Sequence, residues 1–523
     1  MKNEAIDKNQ NNTLQKLATD TGLIIFGLIF SLLPAFIGRV IIVRHWAETD
    51  YGIFSLAFSI LYICFVIGSL GFSQGIPRSI AYANGKKQDK KIPDFISSSL
   101  LYSTIASILL ALTIFVLSDF ISINIFNEPG LVEPLKIFSF AIPFYVIIGV
   151  IVSIFRGFYN VKPTVYFQQI LMSVLFPGLL LLVIFFDLPF IYVFYSFAGS
   201  IIITGIILIF YSINKIKNLK LLSIKSITSP ISRELIIFSL PILGTNILNL
   251  FIYWSDTMML GGLKDAYYVG LYNAALPVAK LLSLPLAALI FIYVPIFSAL
   301  FAKNNIDEIK RSYRIITKWL VAFTFPFFMI MFLYPEQVLE LLFGYNYIIS
   351  SDALRILSLG FMFSTLAGPC AVTLITMGKS RFILYTSLIT AILNVGLNAT
   401  LIPSMHIMGA AVASLSAVFI LNLIQNIKLY KMNKVTPVSK NLIKPIIFTL
   451  LIILPIYYFL NMYFTVSLWM IPIIVIIMFI IFLSGIIITR SLDQEDILML
   501  KTVEQKTGLK LNFIKKIIHK TQK

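Results

Sequence analysis

The chain has 523 residues, 59% of them hydrophobic and only 12% charged. Soluble domains carry about 25% charged residues, so a soluble globular protein is excluded. The formal net charge is +18, and its concentration in connecting segments points to the positive-inside rule rather than to nucleic acid.

Apolar runs near 20 residues recur from end to end, each long enough to cross a bilayer core as a helix. Barrel strands would instead alternate over about 10 residues. The first twenty residues, Met1 to Asp20, are polar and lack a short apolar core, so a removable signal peptide is not expected. Spanning helices are predicted near 22–43, 51–75, 96–117, 135–156, 164–186 and 189–212, then near 236–260, 270–299, 315–335, 353–377, 382–403 and 407–429. A last pair is predicted near 445–463 and 467–489. The expected fold class is an all-α polytopic membrane protein with 14 transmembrane helices. Its parts are a six-helix lobe over 1–212, a cytoplasmic amphipathic linker over 213–235, a six-helix lobe over 236–431, helices thirteen and fourteen over 432–489, and a basic cytoplasmic tail over 490–523.

All but six of the 41 Lys and Arg residues fall in the alternate connections on one side of this scheme. The six are Arg39, Arg44, Lys136, Lys264, Lys280 and Arg355. That bias predicts cytoplasmic N- and C-termini and a location in the cell membrane. The linker and the tail interleave lysines with leucines and isoleucines, as membrane-surface helices do. Helix eight carries Pro277, Pro285 and Pro295. Proline removes a backbone donor and bends a helix, so jointed, transporter-like helices and ordinary transmembrane prolines are both readings of this run.

Helices one to six overlay helices seven to twelve at an offset of about 218, so that Tyr51-Gly52-Ile53-Phe54 meets Val269-Gly270-Leu271-Tyr272. Six helices return the chain to the same side, which makes the halves parallel repeats about an axis along the membrane normal.

Three charges lie well inside predicted spans: Arg39, Asp256 and Lys280. A charge at this depth normally faces protein interior or a wet cavity. Arg39 and Lys280 suit an anion such as a pyrophosphate, the arginine by its planar fork and the lysine as a point charge. The competing reading is that both snorkel or satisfy backbone carbonyls. Arg44, Arg78 and Arg156 fall at helix ends, as interface anchors or at a cavity mouth. Asp256 has candidate partners in Asn394 and Asn398, which stand four residues apart on one helix face. A carboxylate with amide oxygens suits Na⁺ or a protonatable switch. It equally suits a hydrogen-bonded cluster joining helices.

No Walker loop, His-Glu-x-x-His or Gly-x-Ser-x-Gly motif is present. The three histidines, His45, His406 and His519, lack metal-ligand spacing. The two cysteines, Cys64 and Cys370, both sit in apolar runs, which excludes a disulfide framework and a cysteine zinc site. A transporter is expected rather than an enzyme, with no cofactor and no metal, and with Na⁺ or H⁺ as the candidate coupling ion.

Three pieces then carry a family resemblance: Gly38-Arg39 followed by Asp50-Tyr51-Gly52; Trp254-Ser255-Asp256-Thr257 leading to Val269-Gly270-Leu271-Tyr272; and Leu393-Asn394 with Leu397-Asn398, Pro403 and Gly409-Ala410-Ala411. Over its whole length the chain resembles the Wzx-type oligosaccharide flippases of the multidrug/oligosaccharidyl-lipid/polysaccharide exporter superfamily. The resemblance implies a V-shaped pair of lobes with alternating access around a cationic cavity. The implied cargo is a polyprenyl-(pyro)phosphate-linked oligosaccharide, flipped to the outer leaflet, with membrane lipids and glycan-assembly enzymes as partners. Arg39 and Lys280 match the headgroup-contacting positions of related lipid II flippases. Asp256, Asn394 and Asn398 match a Na⁺ site, except that Asn398 stands where a carboxylate would strengthen it. The rivals are a cation-coupled multidrug exporter of the same superfamily and a membrane glycan polymerase or acyltransferase. The extra helix pair and the basic intramembrane residues argue against the first, and the short outer loops, 118–134 and 336–352, against the second.

Overall fold

The computed structural model describes residues 2–215, 230–303, 305–464, 466–492 and 496. Most of the linker expected over 213–235 and of the tail expected over 490–523 lies outside the described residues. Every regular element among the described residues is helical. Apolar side chains that face lipid need no partner, and a helix satisfies its own backbone, so the composition leaves little alternative.

Helix packing divides the chain into two compact units, 1–270 and 271–523. The sequence repeat follows a different division, since it counts helices rather than contacts. The first unit holds α1 (Lys2–His45), α2 (Glu48–Gly68), α3 (Phe72–Gly85), α4 (Ile92–Phe120), α5 (Val132–Gly157), α6 (Met172–Phe185), α7 (Ile191–Lys215) and α8 (Pro230–Leu263). Its core is strongly aromatic. Phe54 stacks on Phe176 with ring centroids 6.0 Å apart, and Phe197 meets Phe58 edge-on at 5.4 Å. Such rings bury large areas and lock one another's orientation. α8 docks on α2 through Trp254, whose ring lies 5.5 Å from Phe58 and 5.7 Å from Tyr62. One turn on, the Ser59 hydroxyl donates to the Met258 sulfur at 3.0 Å.

α9 (Ala266–Lys280) crosses the division, and the second unit continues with α10 (Leu284–Ala302), α11 (Ile306–Leu333), α12 (Pro335–Phe343), α13 (Ser351–Leu366), α14 (Cys370–Thr376), α15 (Ser380–Asn433), α16 (Lys440–Tyr463) and α17 (Met470–Ile488). Thirteen continuous stretches among the described residues are long and apolar enough to cross a membrane. They differ from the fourteen expected crossings at α15. A straight helix of its 54 residues would be about 80 Å long, more than twice a bilayer core. Instead the backbone leaves helical dihedrals at His406 (φ 52°, ψ −127°) and folds back. The Gln425 amide donates to the Thr386 hydroxyl at 3.3 Å, and Gly409 lies against the carbonyl of Leu401. Those pairs require two antiparallel helices, where the sequence predicts the eleventh and twelfth spans.

Two joints interrupt the second unit. One is the 3₁₀ turn Leu281–Ser283 between α9 and α10, and the other is Ala367–Pro369, where Gly368 takes φ +69°. Beside the second joint the Tyr313 hydroxyl donates to the Ala367 carbonyl at 2.6 Å, and Tyr293 shares a 2.9 Å hydrogen bond with Thr373. One described residue of the tail region is also tied down. Asp496 accepts from Lys318 Nζ at 2.5 Å and from Trp319 Nε1 at 2.8 Å, and both charged groups are buried.

Candidate functional site

The site predicted from sequence begins where α1 hands over to α2. α1 ends at His45, and the Ala47 backbone N–H donates to the Asp50 carboxylate at 3.3 Å. Glu48 and Asp50 lie in the first turn of α2, where negative charge suits the helix dipole. The polar Glu-Thr-Asp sequence is therefore a helix start, and it aims the buried Tyr51 back toward α1. Arg39 lies within electrostatic reach of the Tyr51 phenol. It is half-buried, one turn before the exposed Arg44.

The next residue, Gly52, is the one that the repeat sets opposite Gly270. A Cβ built on Gly52 would overlap the carbonyl of Ala266, and one built on Gly270 would overlap the carbonyl of Glu48. The backbones of α2 and α9 thus touch at the two glycines that the repeat places in register. Only glycine permits this approach. The loop residue Glu128 joins the same corner by accepting from the Ala266 backbone N–H, and burial pushes its carboxyl above the ordinary carboxylate range.

Lys280 forms the last turn of α9, where positive charge suits the helix C-terminus. The Ser283 hydroxyl donates to its carbonyl at 2.7 Å, inside the 3₁₀ joint. The lysine is half-buried and belongs to the second unit, whereas Arg39 belongs to the first.

Asp256 is only 4% exposed, between Ser255 and the buried Thr257. It stands half a turn away from the Trp254–Met258 face that α8 turns toward α2. In the second unit Asn394 and Asn398 are 2% and 0% exposed, and the Asn398 amide donates to the Asn394 carbonyl at 3.2 Å. This pair is the i,i+4 contact that the spacing predicts.

The mouth candidates separate. Arg156 donates to the Ser73 carbonyl at 2.6 Å and to the Ser153 hydroxyl at 2.8 Å, which fastens α5 to α3. Arg78 lies over the Phe238 ring at 4.0 Å, fastening α3 to α8. Both carry structural contacts.

Among solved structures, the lipid II flippase MurJ in its inward closed conformation shares the fold with a TM-score of 0.69 at 15% identity, over 88% of this chain and 97% of that one. An inward-facing multidrug-resistance MATE family transporter of the MOP superfamily gives 0.62 at 15% identity, over 79% and 99%. Helices of membrane-spanning length in this fold define a multi-pass membrane protein. The chain belongs to the polysaccharide biosynthesis protein family, whose sequence profile matches residues 17–301. The MatE profile matches residues 241–400. Two curated proteins are similar in sequence. A membrane protein of Methanocaldococcus jannaschii is 22% identical over 75% of this chain and 79% of its own length. The stage V sporulation protein B of Bacillus subtilis is 21% identical over 80% and 83%.

Proposed function

We propose that the protein flips a polyprenyl-(pyro)phosphate-linked oligosaccharide from the cytoplasmic to the outer leaflet by alternating access, for surface polysaccharide or glycoprotein assembly. Arg39 carries the reading: a half-buried guanidinium at the end of a lipid-facing helix, in a family of polysaccharide biosynthesis proteins. Its planar fork suits a phosphate, and Lys280 at a helix joint supplies a second point charge. The cargo's polar headgroup cannot cross hydrocarbon unaided, so a basic, hydrated path lowers its barrier while the lipid tail stays in the bilayer. Arg44, Arg78 and Arg156, all exposed, are the cavity-mouth candidates. Asp256, Asn394 and Asn398 are the residues for a coupling Na⁺ or proton. The lobes of the repeat, 1–212 and 236–431, are the moving parts, with helices 13–14 outside them and both termini cytoplasmic. Glycan-assembly enzymes are the partners such cargo requires.

The test is a vesicle assay in which a labelled lipid-linked oligosaccharide becomes accessible on the far leaflet only when the reconstituted protein is present. Absence of protein-dependent transfer would overturn the reading. The MatE match over 241–400 supports a second reading, a cation-coupled multidrug exporter. Export of cationic drugs without transfer of the lipid-linked sugar would favour it.

A further inference from the structure

The second unit holds a basic cavity whose lining includes none of the residues proposed above for the cargo. It has a volume of about 550 Å³, and its lining includes Lys310, Arg311, Arg314, Lys440, Ser439 and Asp307. Four of these side chains are cationic and one is anionic. Asp307 is taken up by Lys310, whose Nζ donates to it at 3.1 Å. Lys310 and Arg314 are four residues apart and Arg311 and Arg314 three apart, so all three project from one side of the first turns of α11. Across the cavity the Ser439 hydroxyl accepts from the Leu442 N–H at 3.2 Å and caps the N-terminus of α16. A 24-residue helix therefore directs its positive end at the same space.

A second, independent feature begins one turn further along α16. Ile443, Ile447 and Leu451 are 40%, 51% and 71% exposed and stand four residues apart, forming an apolar track that starts beside the cavity. Both walls of the cavity lie in segments, 300–318 and 428–444, that the Lys and Arg distribution assigns to the cytoplasmic side.

We infer that this cavity binds the phosphate of an anionic membrane lipid in the cytoplasmic leaflet. The arginines hold the phosphate oxygens through charge-assisted hydrogen bonds, and an acyl chain lies along the Ile443–Ile447–Leu451 track. A soluble phosphate would meet the cations alone, whereas a lipid meets the cations and the track. The site is separate from Arg39 and Lys280, and it stands whether or not the chain flips a lipid-linked sugar.

The purified full chain would be titrated in detergent with phosphatidylglycerol, phosphatidylcholine and inorganic phosphate, with binding read by native mass spectrometry. The expected result is retention of phosphatidylglycerol over phosphatidylcholine, undisturbed by millimolar inorganic phosphate. The double variant R311Q/R314Q should lose this retention by about tenfold or more. Equal retention by wild type and double variant would overturn the inference, as would displacement by inorganic phosphate alone, which would mark a soluble-anion pocket. If the double variant elutes as aggregate, Lys440→Gln, at an exposed residue of the first helical turn, decides instead. A loss of about threefold or more supports the site, and no loss overturns it.

Discussion

Arg39 and Asp256 are both charges on apolar, largely lipid-facing helices of the same compact unit, yet their surroundings differ. Arg39 keeps part of its surface open, near the end of α1 and beside Tyr51. Asp256 stands equally near the end of α8 but is closed off, 4% exposed. An open cation can meet a bulky ligand that arrives and leaves. A closed anion can be reached only by something as small as an ion or a proton. The difference matches a division of labour between cargo recognition and coupling. It also predicts that the two residues contribute differently to stability and to transport.

The largest effect should come from breaking the close contact between α2 and α9. Gly52→Val sets a side chain against the Ala266 carbonyl, a backbone group that cannot swing aside. The expected loss is about 3 kcal/mol or more of stability, seen as aggregation or a collapsed melting transition in detergent. Next, Arg39→Ala should cut flipping by about tenfold or more while changing stability by less than about 0.5 kcal/mol. Arg39→Lys should recover part of the rate. If Arg39→Ala unfolds the protein instead, Arg39 is structural and the contrast with Asp256 disappears. Asp256 should show the reverse pattern: Asp256→Ala is expected to lower stability by about 1–3 kcal/mol, because buried polar neighbours lose a partner. Asp256→Asn should preserve the fold and abolish any dependence of transport on a Na⁺ or proton gradient. A gradient response unchanged in Asp256→Asn would remove the coupling role.

The smallest effect concerns Glu128. Its carboxyl is raised by burial, against the opposing pull of the Ala266 N–H. The folded protein therefore holds this proton to higher pH than the unfolded chain does. Stability should fall as pH rises from the ordinary glutamate value through the raised one. Glu128→Gln should flatten that slope and change stability by less than about 1 kcal/mol, since the loop is partly exposed. A melting temperature that rises over the same pH interval would contradict the assignment.

The spanning helices were legible in the sequence because lipid demands long apolar runs and because lysine and arginine mark one side. The charges were legible for the complementary reason, that Arg39, Lys280 and Asp256 interrupt such runs. The i,i+4 asparagine pair was readable from helical geometry alone. Other features were not. The repeat places Gly52 over Gly270, but an overlay of sequences carries no statement of contact, and the touching backbones appear only in the fold. Prolines marked one joint and not others: the break in helix eight falls between Pro277 and Pro285, whereas Pro34, Pro143, Pro177, Pro241 and Pro326 lie inside continuous helices. The breaks fall where a 3₁₀ turn or a left-handed glycine intervenes. The basic cavity was hidden because its lysines and arginines are indistinguishable in sequence from ordinary cytoplasmic loop charge.

The most direct test of the central claim is the melting temperature of the purified protein with and without a polyprenyl pyrophosphate. A ligand that binds the folded state raises the melting temperature, and the rise grows with the logarithm of ligand concentration over Kd. Wild type and Asp256→Asn should both show a rise that grows with ligand concentration, and Arg39→Ala should show little or none. An equal rise in wild type and Arg39→Ala would contradict the claim that Arg39 reads the cargo's phosphate.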